Sequence, residues 1–296
     1  MNCQQYSVTT GDGVTLRVYR LPAPGQSSLP PVVLVHGTYA NSQFWLSDKG
    51  VGLAAYLRER GHDVWMPELR GRGPSAKVPG YVRWSAGDLM RHDLAAVAEL
   101  VDARQGRPAM WVGHSYGGLY VIGALVNHWL PSDHVAAVAV FGTQLRDGQR
   151  YLRFWPLTRL VQATIRAIGF FPARGLGMGP ENEPPGIMNE ALHWKSSGRW
   201  AAPDGTDYEA GIGSLAVPVL AYAAAADKMD PPEGCRAFLQ ALGGARKEFR
   251  LLGECSGFSR DYGHVDMLVS RAAEREVWPD LAAWLAGNRE MQSLEP

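Results

Sequence analysis

The sequence holds only three cysteines, Cys3, Cys235 and Cys255, and no two of them form a C-x-x-C pair. An odd, scattered set of thiols argues against a disulfide framework or a cysteine-built zinc site and fits a reducing compartment. Net charge is lacking as well, with 29 basic residues against 29 acidic ones. Without a net field the chain has no electrostatic footprint for nucleic acid or an anionic membrane surface, and a small neutral or apolar partner suits it better. No apolar run approaches the roughly eighteen residues of a membrane span, so no transmembrane segment is expected. The opening MNCQQYSVTTGDG carries neither a basic n-region nor an apolar h-region, so a cytoplasmic protein is expected. No Walker A sequence and no HExxH occur, and the eight histidines show no tight ligand spacing, so neither a metal nor a cofactor is called for. The glycines near residue 113 lack the G-x-G-x-x-G spacing, and the following run VAAVAVFG does not end in an acidic residue, which excludes a dinucleotide site.

What is present is enough apolar material for one large core: 46% of 296 residues are hydrophobic, and single α/β domains reach this length undivided. YSVTTGDGVTLRVYRL sets two β-rich runs around a Gly-Asp-Gly turn, the pattern of a hairpin. From Pro31 the runs PVVLVHG, HDVWMPELRG, AMWVGHS and VAAVAVFG alternate with helical stretches, and VPVLAYAAAAD and KEFRLLGEC resume the alternation later. That order predicts a mostly parallel, doubly wound α/β sheet with crossover helices. Residues 144–213 break the rhythm with YLRFWPLTRLVQATIRAIGFF and a Gly- and Pro-rich passage. An insertion there covers the carboxyl ends of the strands, where ligands bind. The predicted organisation is a core of residues 1–143 and 214–296 with a helical cap of residues 144–213.

The strongest chemical signal is Gly113-His114-Ser115-Tyr116-Gly117, a G-x-S-x-G that follows the strand-like AMWV and precedes a helical run. Its glycines permit a sharp turn that lifts Ser115 clear of the sheet, with the positive end of the next helix aimed at the site. A serine hydroxyl is a weak nucleophile and needs an imidazole base held in one tautomer by a carboxylate. The chain order for such an elbow is serine, acid, histidine. Asp227 ends VPVLAYAAAAD and is the expected acid; Asp230, three residues on before Pro231, is its rival. His264 is the only histidine beyond His193 and is the expected base, with Asp261 and Asp266 near enough in sequence to contact it instead. Backbone N–H groups of Tyr116 and Thr38 are the candidates for an oxyanion hole, with Tyr39 the alternative to Thr38. His36 reads as a turn residue, and His62, His92, His114, His128, His134 and His193 as surface, packing or local hydrogen-bonding groups.

Together the HGT after the predicted third strand, GHSYGG, the turn from Pro67 to Ser75 and GHVDML resemble the α/β-hydrolase superfamily across nearly the whole chain. Ser197 to Trp200, Asp207-Tyr208 and the stretches after them look like the acid-lipase branch, and also like the C-terminal half of polyhydroxyalkanoate synthases. The synthases use a cysteine where this chain has Ser115, and dehalogenases and epoxide hydrolases of the same fold use an aspartate. The resemblance implies hydrolysis of carboxylic esters with lipophilic acyl groups through an acyl-enzyme. Tyr39, Phe154 and Trp155 are the expected substrate contacts, with Leu157, Leu160, Val161, Ile165, Ile168, Phe170 and Phe171 completing an apolar acyl channel or lid. A thioesterase, an amidase or peptidase, a carbon–carbon bond hydrolase and a non-catalytic binding protein share the same core pattern.

Overall fold

In the computed structural model, which describes residues 3–75, 81–147, 155–244 and 246–292, period-2 burial decides the architecture. The side chains of residues 155 and 289–292 lie outside that description. In β3 (Val32–Val35), Val33 and Val35 face one side and Val32 and Leu34 the other, all fully buried. A strand apolar on both faces must be covered on both. The pattern repeats in β4 (Val64–Glu68), β5 (Ala109–His114), β6 (Val135–Phe141) and β7 (Val219–Ala224). Trp65, Trp111, Val138, Val140 and Ala221 belong to the first face, where they pack with α3 (Leu94–Gln105), α4 (Tyr116–Val126) and α7 (Pro232–Ala241). Met66, Val112, Ala139, Leu220 and Tyr222 belong to the second, under α1 (Leu53–Glu59) and α9 (Arg271–Gln292).

Eight strands form one sheet in the order β1-β2-β4-β3-β5-β6-β7-β8, with β1 (Gln4–Thr9), β2 (Thr15–Leu21) and β8 (Lys247–Leu252) completing it. β1 and β2 form the expected antiparallel hairpin, β2 also pairs antiparallel with β4, and the pairs from β4 to β8 are parallel. The chain runs from β3 to β4 on one side and then crosses to β5 on the other. The carboxyl ends of β3 and β5 therefore flank the switch point where open α/β sheets bind ligands.

The helical reading of GDLMRHDLAAVAELVDARQG corresponds to α2 (Ala86–Asp88), a π turn over Leu89–Asp93 and α3 in unbroken succession. The wholly buried Asp93 at the end of that turn accepts from the backbone and Nε of Arg70, each at 2.8 Å. Arg70 also reaches Asp12 in the turn of the N-terminal hairpin, so the Pro67–Ser75 turn ties hairpin to helix. Between β6 and β7, α5 (Trp155–Ile168) and α6 (Pro185–Ser197) are joined by a stretch closed on itself by the isolated β-bridge Phe171↔Glu183. Among the described residues, no strand of this insertion enters the main sheet.

Candidate active site

Ser115 lies between β5 and α4 with φ 53° and ψ −125°, a conformation L-residues avoid. Two close approaches make the turn possible. A Cβ on Gly113 would meet the Gly118 Cα at 2.5 Å, and one on Gly117 would meet the carbonyl oxygens of Val35 and His36 at 2.5 Å. Glycine at both positions lets the elbow press against β3 and against its own helix. Ser115 N–H donates to the Phe141 carbonyl at 2.8 Å, and the Thr143 hydroxyl donates to the Ser115 carbonyl at 3.0 Å, so β6 holds the turn from the other side.

His264 follows β8 in a loop, and its Nδ1 lies 2.7 Å from Oδ2 of Asp227, in the loop after β7. The other Asp227 oxygen accepts the backbone N–H groups of Met229 and Asp230 at 2.8 and 3.0 Å, which fixes the carboxylate plane. Asp230 Oδ2 is farther from Nδ1, at 3.8 Å, and its Oδ1 accepts from Lys195 at 2.7 Å. Asp266 caps the Gly263 N–H at 2.6 Å and Asp261 caps that of Glu254 at 3.0 Å. The carboxylate in hydrogen-bond contact with the imidazole is thus that of Asp227. Burial lowers the His264 pKa, but the Asp227 hydrogen bond and the negative charges of Asp230 and Asp227 outweigh it, against opposition from Lys195, and the net direction is upward.

Two residues that sequence reasoning left aside hold His264 in place. His114, next to the serine, sits with its ring centroid 4.6 Å from that of His264, and its Nε2 is 2.9 Å from the His264 carbonyl. Burial, with the His264 charge behind it, pushes the His114 pKa well down, so it is neutral and Nε2 carries the donated proton. Gly142 has φ +54°, and a Cβ there would come within 3.0 Å of His264 Nδ1 and 2.8 Å of the Met267 methyl. His36 is a turn residue as expected: its Nε2 accepts the Leu69 N–H at 3.4 Å, leaving Nδ1 to donate to the Gly37 carbonyl at 2.9 Å. Burial, reinforced by Arg72, holds its pKa down at about 3.

A pocket opens over Ser115 and is walled by Thr38, Tyr39, Tyr116, Met178, Met188, Ala191, Leu192, Lys195, Met229 and Asp230. The four sequence candidates Thr38, Tyr39, Ser115 and Tyr116 are therefore brought together. The Tyr39 N–H is committed to the Glu183 carboxylate at 2.6 Å, which leaves Thr38 as the oxyanion candidate of that loop. Of the expected substrate contacts, Tyr39 lines the pocket. Phe154 lies outside the described residues, as does the side chain of Trp155, which opens α5. Leu157, Leu160 and Ile168 are exposed, while Ile165, Val161 and Phe171 pack against Tyr39, Met188 and Leu192. The α5 face supports the pocket from behind, and α6 supplies Met188, Ala191, Leu192 and Lys195 of the wall. Its contribution was hard to see because α6 is buried on several sides and shows no clean apolar stripe.

Residues 32–288 match the model of the alpha/beta hydrolase family. The chain belongs to the alpha/beta hydrolase family. A partial alpha/beta-hydrolase lipase region is matched over residues 1–49. This hydrolase-family chain is 33% identical over 128 residues to lipase member K of Homo sapiens, a match covering 38% of this chain and 32% of that protein. It is likewise 33% identical over 129 residues to gastric triacylglycerol lipase of Rattus norvegicus, covering 39% and 33%. The match thus spans about a third of the length of these relatives. A thermophilic esterase from Thermogutta terrifontis superposes with a TM-score of 0.66 at 20% identity, over 97% of this chain and 99% of that one. A monoacylglycerol lipase from Paleococcus ferrophilus gives 0.61 at 17% identity, over 97% and 100%. At such identities the superpositions speak for the shared fold. No helix among the described residues is long and apolar enough to cross a membrane.

Proposed function

We propose that this protein is a serine hydrolase of carboxylic esters with apolar acyl groups, working through an acyl-enzyme on Ser115. The observation that carries the reading is the His264–Asp227 hydrogen bond at 2.7 Å, set beside a serine elbow at the switch point of the sheet. With Nδ1 engaged by Asp227, His264 has Nε2 left for proton transfer. It takes the Ser115 proton as the hydroxyl attacks the ester carbonyl and returns it to the leaving alcohol; water then repeats the sequence in reverse to release the acid. Asp227 holds the tautomer and steadies the imidazolium. The N–H groups of Thr38 and Tyr116 receive the developing oxyanion.

The substrate class rests on the pocket wall, where Met178, Met188, Ala191, Leu192 and Met229 surround the serine with apolar surface. Methionines adapt to chains of varied shape. Residues 144–213 act as the cap that carries most of this wall, and the lipase relatives agree with such a substrate. The test is hydrolysis of p-nitrophenyl esters from short to long acyl chains, by the wild type and by Ser115→Ala. Turnover that rises from acetyl to longer chains and vanishes in the variant is the expected result. Undiminished turnover in the variant removes Ser115 as nucleophile; a preference for acetyl removes the apolar-acyl assignment.

A further inference from the structure

Glu183 is wholly buried in the insertion between β6 and β7, yet its carboxylate is spent on the loop after β3. One oxygen accepts the Tyr39 N–H at 2.6 Å, and the other pairs with the buried guanidinium of Arg72. The backbone of Glu183 is itself fastened to Phe171 by two hydrogen bonds of 2.9 and 3.1 Å. Tyr39 is one of three non-glycine residues described with positive φ, at 63°, a conformation that persists only where its surroundings over-determine it. The same segment grips Tyr39 from its other side: Glu181 N–H donates to the Tyr39 carbonyl at 3.0 Å, and the Glu181 side chain accepts from Asn41 at 2.7 Å. Gly179 runs so close that a Cβ there would lie 2.4 Å from the Tyr39 oxygen.

We infer that Glu183 is a positioning residue for ester hydrolysis: by accepting the Tyr39 N–H it fixes the Thr38–Tyr39 peptide, and through the Thr38 Cα it aims the preceding Gly37–Thr38 peptide, whose N–H is the oxyanion donor of Thr38. The inference rests on the oxyanion role proposed for Thr38 above. Its physical basis is that a donor misplaced by even an ångström loses most of its value in the transition state while ground-state binding in the apolar pocket is little changed. Arg72 supplies the countercharge for Glu183 in its buried place: burial pushes the Glu183 pKa up, Arg72 and the Tyr39 N–H pull it back down, and the net direction is upward. A consequence is that residues 179–183 belong functionally to the active site rather than to a freely swinging lid.

The test separates the hydrogen-bond acceptor from the charge. Removing Glu183 alone would strand the Arg72 cation, a structural injury, so Arg72→Met is introduced in every variant. Arg72→Met with Glu183→Gln keeps an acceptor for the Tyr39 N–H; Arg72→Met with Glu183→Met removes it at nearly the same length, and Arg72→Met with Glu183→Leu is a second acceptor-free version should the methionine pair fail to fold. Turnover of p-nitrophenyl butyrate is expressed per Ser115 titrated with a phosphonate, so that loss of folded protein does not enter. The glutamine pair is expected to keep kcat within about threefold of the Arg72→Met single variant, and the acceptor-free pair to lose about 100-fold in kcat with KM within about threefold. Equal kcat in the glutamine and acceptor-free pairs overturns the inference, as does a loss confined to KM. If Ser115→Ala retains full turnover, the hydrolase reading itself has failed; if Ser115 is essential and the pairs are equal, only the role of Glu183 has.

Discussion

Asp227→Asn is the substitution whose result follows most directly from the geometry. One carboxylate oxygen of Asp227 accepts from two backbone N–H groups, those of Met229 and Asp230, and the other faces His264 Nδ1. An asparagine in its place must turn its carbonyl oxygen toward the two backbone donors, because an amide NH2 there would oppose them. Its NH2 then faces His264 and makes Nδ1 the acceptor, which moves the imidazole proton to Nε2. In that tautomer the ring has no lone pair with which to take the Ser115 proton. A wrong tautomer with intact geometry costs about 10⁴-fold in kcat, roughly 5 kcal/mol of transition-state stabilisation. Asp230→Asn leaves the hydrogen bond to His264 untouched and removes only a charge 3.8 Å away that already pairs with Lys195, so its kcat is expected to stay within about tenfold of wild type. The assay is kcat and KM for p-nitrophenyl butyrate at a pH well above the His264 titration, with circular dichroism to verify folding. A folded Asp227→Asn within about tenfold of wild type, together with collapse of Asp230→Asn, would refute the assignment of the acid.

The direction of the His264 shift predicts a pH profile: the free-enzyme pKa lies above the ordinary histidine value, and the base works only when neutral, so the acid limb of kcat/KM falls above about pH 6.5. Asp230→Asn moves that limb toward lower pH and Lys195→Met toward higher pH; opposite movements would show that the two charges do not govern the base. The same sign gives the stability linkage. The raised folded pKa contributes stability that is fully present below the unfolded value and is lost as pH rises through the folded one, so thermal melts of Asp230→Asn should lose part of the difference between acid and neutral pH. Gly142→Ala would bring a methyl within 3.0 Å of His264 Nδ1 at a residue with φ +54°; a loss of at least about tenfold in kcat is expected, and an unchanged kcat would mean the loop gives way. Ala191→Phe fills the pocket wall beside Ser115 and should shift the acyl-chain preference toward acetyl in the ester series, whereas an unaltered profile would place the acyl group elsewhere.

The parts of this site that were legible in the sequence are those whose chemistry demands a strict local pattern. Ser115 shows itself because an elbow needs glycines flanking a serine between a strand and a helix, and the apolar alternation from Pro31 to Phe141 declares both the sheet and its two covered faces. Asp227 and Asp230 could be ranked but not separated by spacing, since both lie on the same short loop; only the side-chain geometry, 2.7 Å against 3.8 Å from the imidazole, divides them. The apolar run of α5 was ambiguous for a related reason. The strongly apolar face of α5 announces that something packs there, but not whether a ligand or another helix does, and in the structure Ile165 meets Met188 and Leu192 rather than the pocket. What stayed hidden is orientation. His114 touches His264 across 150 residues, and Arg72 meets Glu183 across 111. In sequence, Glu181-Asn182-Glu183 looks like any charged loop before a proline-led helix. Burial reverses that reading, because an acid wholly removed from water must be paired, and its partners here are Tyr39, on the loop after the strand beside the serine's, and Arg72, on the turn after β4. A local motif can announce a nucleophile, but the groups that aim the transition-state donors are recruited from distant parts of the chain, and their signature is a buried charge with two partners rather than a spacing.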